Sequence, residues 1–238
     1  MNSFFYDLHI HSCLSPCADD DMTPNNIAGM AAVKGLRIAA LTDHNTCGNC
    51  KSFFAACKRN GVIPIAGMEL STAEDIHLIC LFETLDAALE FDSQVRRHYI
   101  GVKNRPDIFG TQLLLDENDN IIGEEEHLLA APTNLDIGKA VALVRRYRGI
   151  VYPAHIDRET NGIISILGDM PPDYSFSAIE FKNAENIDRY LSKYPATQGC
   201  TIVCSSDAHT LCEINEPEHR FLIEGDADGD EIVLHKLL

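Results

Sequence analysis

The stretch Tyr6-Asp7-Leu8-His9-Ile10-His11-Ser12 places two imidazoles two residues apart in an apolar run. Alternate residues of an extended chain share a face, so His9 and His11 project together while Leu8 and Ile10 pack the other way. Paired imidazoles at a strand end make half of a metal site. The pattern recurs: apolar runs lead into Thr42-Asp43-His44, Gly67-Met68-Glu69, Pro153-Ala154-His155 and Ser206-Asp207-Ala208-His209, and His77 starts another. Six of the ten histidines therefore sit at strand ends or starts beside carboxylates, while His98, His127, His219 and His235 fall in helical, hairpin or tail contexts and read as surface residues. Imidazole mixed with carboxylate suits Zn, Mn or Fe better than Mg or Ca. Six histidines and at least three carboxylates exceed the needs of one ion, which points to two or three divalent ions bridged by a carboxylate. Such a cluster turns water into a metal-activated hydroxide and clamps a transferring phosphoryl group.

These residues need a scaffold that gathers strand ends. Strands are expected at 4–10, 36–41, 62–66, 76–82, 150–153, 177–181 and 201–204, with one more at 220–223. Helices are expected between them, at about 24–34 behind a Thr23 cap and Pro24, at 48–60 ending at Gly61, at 84–99, at 135–147 and at 187–193. Residues 100–133 break this rhythm. There Asp116-Glu117-Asn118-Asp119 lies between two short apolar runs and reads as a hairpin inserted at the rim. Strands alternating with helices imply a parallel sheet, and about seven units in one domain suit an α/β barrel. In a barrel the carboxyl ends of the strands form one face, which would collect every residue named above.

The ordered motifs His9-x-His11, Thr42-Asp43-His44, Gly67-x-Glu69, Ile76-His77-Leu78, Pro153-Ala154-His155 and Ser206-Asp207-Ala208-His209 resemble those of the PHP (polymerase and histidinol phosphatase) superfamily. The resemblance runs from residue 7 to 209. It implies one PHP-like domain over 1–238, a distorted seven-stranded β/α barrel, a trinuclear centre and metal-dependent phosphoesterase activity. Carried over by motif, His9, His11, Glu69 and Asp207 hold one ion. Glu69 bridges to a second with His77 and His155. His44, His209 and an acid of the first loop hold a third. The family usually has Ser-Asp-Gly in that loop, whereas this chain reads Ser15-Pro16-Cys17-Ala18-Asp19-Asp20-Asp21; counting back from Thr23-Pro24 favours Asp19, with Asp21 as its rival. Glu69 and Asp207 are then catalytic as well as ligating. Arg158, three residues after His155, is the candidate phosphate clamp because guanidinium matches phosphate oxygens in pairs. Arg105 and Lys182 are weaker candidates for that role.

Charge and composition set the bounds. A net charge of -17 argues against a broad basic surface, and hence against duplex nucleic acid or anionic membrane as partners, while leaving room for a small phosphorylated substrate. No charged leader followed by an apolar run opens the chain and no apolar stretch reaches spanning length, so a cytoplasmic protein is expected. Nine cysteines scattered through apolar segments suit reduced core thiols. The leading function is hydrolysis of a small phosphomonoester, with nucleotides among the candidates. The alternatives are a metal-dependent amidohydrolase, a non-catalytic metal-binding scaffold, and a thiolate module on Cys13-x3-Cys17 and Cys47-x2-Cys50.

Overall fold

The structure is a computed structural model that describes residues 2–223 and 238, so His235 lies outside the described residues. The chain opens with β1 (Asn2–Ile10), α1 (Pro24–Val33), β2 (Ile38–Leu41), α2 (Cys50–Asn60) and β3 (Ile63–Ser71). Local chemistry fixes the helix limits. The Thr23 hydroxyl accepts from the Asn26 N–H and Pro24 supplies a preset first residue, while α2 stops at Gly61 in the left-handed region at φ 68°. Strands β1, β2 and β3 pair in parallel. β4 (His77–Phe82) then returns antiparallel to β3, with Ser71 opposite His77. This corrects the expectation of a wholly parallel sheet. Residues 72–76 are too few for the crossover of a dozen or more that parallel pairing requires, and Asp75 turns the chain at φ 63°.

Next come α3 (Leu85–Val95), α4 (Pro106–Phe109), a hairpin of β5 (Leu113–Leu115) and β6 (Ile121–Glu124), and α5 (Ile137–Arg146). β7 (Ile150–Pro153), α6 (Ile163–Leu167), β8 (Ala178–Phe181), α7 (Ile187–Lys193), β9 (Thr201–Cys204) and β10 (Arg220–Ile223) complete the series. The main sheet runs β10-β1-β2-β3-β4-β7, and β8 with β9 forms a separate parallel pair. The segment after β9 meets β1 at a bridge between Ala208 and Ile10, and β8 meets the segment after β7 through the Ile156 N–H to the Glu180 carbonyl at 2.9 Å. The sheet is thus a curled half-barrel flanked by a strand pair rather than a continuous seven-stranded ring.

Leu8, Ile38, Ala40, Leu81, Tyr152 and Val203 fill the concave side, and a second apolar layer joins the convex side to the helices. β4 runs against β3, so its first residue lies beside the carboxyl end of β3. β7 reverses again, and its carboxyl end returns to the same edge. Residues at the start of one strand and the ends of several others therefore converge. Over this edge lies the 100–133 segment, which grips the loop after β1. The Leu113 N–H donates to the Cys13 carbonyl at 2.9 Å and the Thr111 hydroxyl donates to Asp20 Oδ1 at 2.7 Å.

Candidate metal centre

Glu69 stands at the centre of the converging residues, 1 % exposed. Its Oε1 lies 2.8 Å from His77 Nδ1, 3.0 Å from His155 Nε2 and 3.3 Å from His9 Nε2. Its Oε2 lies 3.0 Å from His44 Nδ1 and 3.2 Å from His11 Nε2. Asp207 Oδ1 approaches His9 Nε2 and His11 Nε2 at 3.3 Å each. The close approach of strands around Glu69 requires Gly67, where a Cβ would meet Leu81, the Cys80 carbonyl and Thr42 at 2.8–2.9 Å. His155 at φ 27° and Asp207 at φ 49° occupy the left-handed region, which disfavours residues other than glycine and concentrates at functional sites.

Three groups can each offer ligand atoms lying within 4.8 Å of one another: His9 with His11, Glu69 and Asp207; His44 with Glu69 and His77; and His11 with His44 and His209. The first matches the carried-over set. The second gathers His44 where His155 was expected, although His155 still touches Glu69. The third contains no carboxylate. Asp19 and Asp21 are exposed and join none of these groups. The Asp19 backbone N–H donates to the His209 carbonyl at 2.9 Å, while the Asp21 carbonyl accepts from the Asn26 side chain at 2.8 Å. At Asp19 it is thus the backbone, rather than the acid, that meets the His209 segment. His98, His127 and His219 also stay outside the groups.

The site's electrostatics follow from crowding. Burial opposes charge on His11 and His44, but Asp207 and Glu69 outweigh it at His11 and Glu69 outweighs it at His44, holding both up to about 9. Burial and the neighbouring His11 push His209 down to about 3. Burial would raise Glu69, yet the imidazoles of His77, His9 and His44 hold it well below the usual carboxylate range. Asp207 is likewise depressed: burial is overcome by His9 and His11. Two buried oxygens of one carboxylate cannot satisfy five imidazoles by hydrogen bonding. Glu69 Oε2 and His44 Nδ1 face each other with no hydrogen-bond partner, an arrangement that suits a cation between them. The donor set fits divalent Zn, Mn or Fe.

Several supporting residues were not singled out from sequence. Glu180, buried in β8, takes His9 Nδ1 at 2.9 Å and the His155 backbone N–H at 3.1 Å, so it leaves His9 Nε2 facing the cluster. Asp43 accepts from the Ser12 N–H, the Ser12 hydroxyl and the Ser15 hydroxyl at 2.7–2.8 Å, fixing the turn after β1. Arg158 reaches the site: its Nη1 lies 2.6 Å from Asp207 Oδ2 and its side chain is 40 % exposed. Lys182 donates to the Ser206 carbonyl and flanks the same carboxylate at 3.9 Å. Arg105 does not reach it, pairing with Asp107 on the exposed insertion. Cys47 and Cys50 point into the core at the Gly67 and Leu41 carbonyls, which counts against the alternative of a thiolate module. No helix among the described residues is long and apolar enough to cross a membrane.

A PHP domain model matches residues 7–159. Over 79 residues the chain is 34% identical to a 5'-3' exoribonuclease of Haemophilus influenzae, covering 32% of this chain and 28% of that protein. Over 73 residues it is 34% identical to a 3',5'-nucleoside bisphosphate phosphatase of Chromobacterium violaceum, covering 31% of this chain and 25% of that protein. The match thus spans about a quarter of either relative's length. Among solved structures, the lesion-specific endonuclease PfuEndoQ from Pyrococcus furiosus superposes with a TM-score of 0.61 at 19% identity, covering 88% of this chain and 49% of that one. A complex of Endonuclease Q with a 27-mer duplex carrying an abasic lesion at the active site gives a TM-score of 0.57 at 18% identity, covering 88% and 50%. That complex corrects the expectation that net charge sets duplex nucleic acid aside. A protein of this fold seats a duplex at its active site, because binding depends on the local field rather than on charge summed over the whole surface.

Proposed function

Because the chain belongs to the PHP domain family, we propose that it is a metal-dependent phosphoesterase whose substrate is a small phosphomonoester of nucleotide type. The observation that carries this reading is Glu69, a buried carboxylate shared by five imidazoles, with an oxygen and a facing nitrogen that lack hydrogen-bond partners. Divalent ions bound here would supply positive charge to phosphoryl oxygens and lower the pKa of a bound water. The chain's own residues do the rest. His9, His11, Glu69 and Asp207 would hold one ion. Glu69 would share a second with His77, His44 and His155. Glu180 keeps His9 in the tautomer whose Nε2 faces the cluster. Arg158 and Lys182 flank Asp207 at the open side, where two cations can orient a phosphate for in-line attack.

The names of the two partial relatives, one a nucleoside bisphosphate phosphatase and the other an exoribonuclease, support a nucleotide class of ester. The test is metal content measured together with phosphate release from a panel of nucleoside monophosphates, nucleoside bisphosphates and sugar phosphates, with a panel of amides alongside. Two to three ions per chain and release from a nucleotide ester are expected. Full metal loading with turnover of amides alone would overturn the reading in favour of an amidohydrolase. Loading with no turnover of any kind would favour a scaffold.

A further inference from the structure

Asn45 follows His44 and is 1 % exposed, yet it belongs to no ligand group. Its backbone sits in the left-handed region at φ 54°, which asparagine tolerates better than most residues. Every polar group it carries is used. Its N–H donates to the Glu69 carbonyl at 2.9 Å, and its Oδ1 accepts the Ser71 N–H at 2.8 Å. Ser71 lies opposite His77 across β3 and β4. One residue thus fixes the backbone beside all three members of the group His44, Glu69 and His77.

The same residue also reaches into the insertion. Its Nδ2 donates to the Leu129 and Ala131 carbonyls at 2.7 and 2.9 Å, and its own carbonyl accepts the Tyr99 hydroxyl at 2.8 Å. Thr133 adds its N–H and hydroxyl to the Ser71 carbonyl at 2.9 and 2.8 Å. Gln112 carries the contact on into the hairpin: its Oε1 accepts the Leu129 N–H at 2.8 Å, and its Nε2 donates to the Glu125 and His127 carbonyls at 2.7 Å each. The segment 129–133 is therefore stitched to the centre rather than draped over it. A carboxamide answers the partners of this side chain, one N–H and two carbonyls. Aspartate has acceptors alone and would face both carbonyls with a buried charge.

We propose that Asn45 is a positioning residue for His44, Glu69 and His77, and that it couples ion binding in that group to the ordering of segment 129–133. The inference rests on the metal-dependent reading of the same site. Drawing the three ligands onto an ion would also fix the backbone on which the bonds of Asn45 depend, so loading should hold 129–133 more tightly. Coupling of this kind is reciprocal: loosening the bonds of Asn45 to the segment should weaken the ion.

The test uses the full chain, stripped of metal and reloaded with Zn(II) alone. Hydrogen exchange of peptides covering 127–135 is followed by mass spectrometry, and ion affinities are read by competition with a chelator. In the wild type, loading should slow exchange of the segment by about fivefold or more. Asn45→Gly keeps the left-handed backbone available and removes the carboxamide. It should abolish that metal dependence and weaken at least one ion by about tenfold or more. Tyr99→Phe deletes one bond and keeps the ring. It should give a smaller change in the same direction, and it carries the test if the glycine variant does not fold. Wild-type exchange that ignores metal overturns the coupling. So does a folded Asn45→Gly with wild-type affinities, or one that loses Tm alone and keeps its metal-dependent protection, since a purely structural residue would show that. Wild-type protein that takes up no ion would instead bring down the metal-dependent reading and this inference with it.

Discussion

The group around Glu69 and the group under the first loop occupy one face of the sheet but are built on different terms. His9, His11, Glu69 and Asp207 are at most 4 % exposed, contain two carboxylates and hang from strand ends. His11, His44 and His209 contain no carboxylate, and the His209 side chain is 25 % exposed beneath a loop gripped by the 100–133 segment. Charge divides the second group itself, because two of its imidazoles also face Glu69. The imidazoles that share a carboxylate, His11 and His44, are held up to about 9, whereas His209, whose strongest neighbour is another imidazole, is pushed down to about 3. The lesson is that strands deliver charge-balanced sites with little freedom, while the imidazoles under the loop depend for their charge balance on the carboxylates that the strands hold.

The largest effect should come from the residue both deep groups share. Glu69→Gln should cut phosphate release by about a thousandfold or more, since a ligated metal supplies several kcal/mol of transition-state stabilisation. Asp207→Asn should act similarly while touching only one group. Far-ultraviolet circular dichroism should show both variants folded. Turnover within about tenfold of wild type in the metal-loaded Glu69 variant would erase the distinction drawn here.

Glu180→Gln comes next. It keeps the side chain's shape but weakens its hold on the His9 ring, and metal affinity should fall by about 10–100-fold. The loss should appear at the Glu69 positions and spare the loop position, which Glu180 does not touch. Equal loss at all positions, read by titration with a chelating competitor, would mean that Glu180 supports the whole edge rather than His9. Arg158→Ala should raise KM or lower kcat/KM by about tenfold for phosphate esters, as expected when a paired guanidinium–phosphate contact is lost. Unchanged kinetics would leave Arg158 as a partner of Asp207 only.

Most of the deep group was legible because strand periodicity and apolar runs mark where polar residues must stop: His9-x-His11, Glu69, His155 and Asp207-x-His209 all follow such runs. The antiparallel turn of β4 was readable in principle from the short gap at 72–76. It was missed because a barrel was expected to repeat its crossover. Glu180 carried a signal that went unused: a charge inside the four-residue strand Ala178–Phe181 cannot be buried without a partner. The loop was the hardest to read. Its acidic run suggested metal ligands, but consecutive acids are more cheaply left in water, and only the fold shows that Asp19, Asp20 and Asp21 stay exposed.

Removing the metal should expose the charge division in stability. His11 and His44 have folded values of about 9 against an ordinary 6.5, so their stabilisation is fully present below 6.5 and is lost as pH rises through 9. His209 and His77, both depressed, act below 6.5 and do not offset this window. The Tm of chelator-treated protein should therefore drop by several degrees between pH 6.5 and 9, at about 2–4 °C per kcal/mol for a chain of this size. Metal-loaded protein, whose imidazoles are already neutral ligands, should stay nearly level over the same range. A metal-free Tm that rises there would reverse the sign assigned to the carboxylate-bearing group.

The smallest effect belongs to the acids that the loop keeps in solvent. Asp19→Asn and Asp21→Asn, singly or together, should leave the ion count unchanged and shift turnover by less than about twofold, because exposed carboxylates exert little field across water and salt. Asp20→Asn should matter slightly more, since it breaks the contact with Thr111 that ties the loop to the insertion. These variants separate a loop whose acids act on the site from one that holds the site only through its backbone contacts. If Asp19→Asn loses an ion, that acid is a ligand, and the two regions draw their anions from the same chemistry after all.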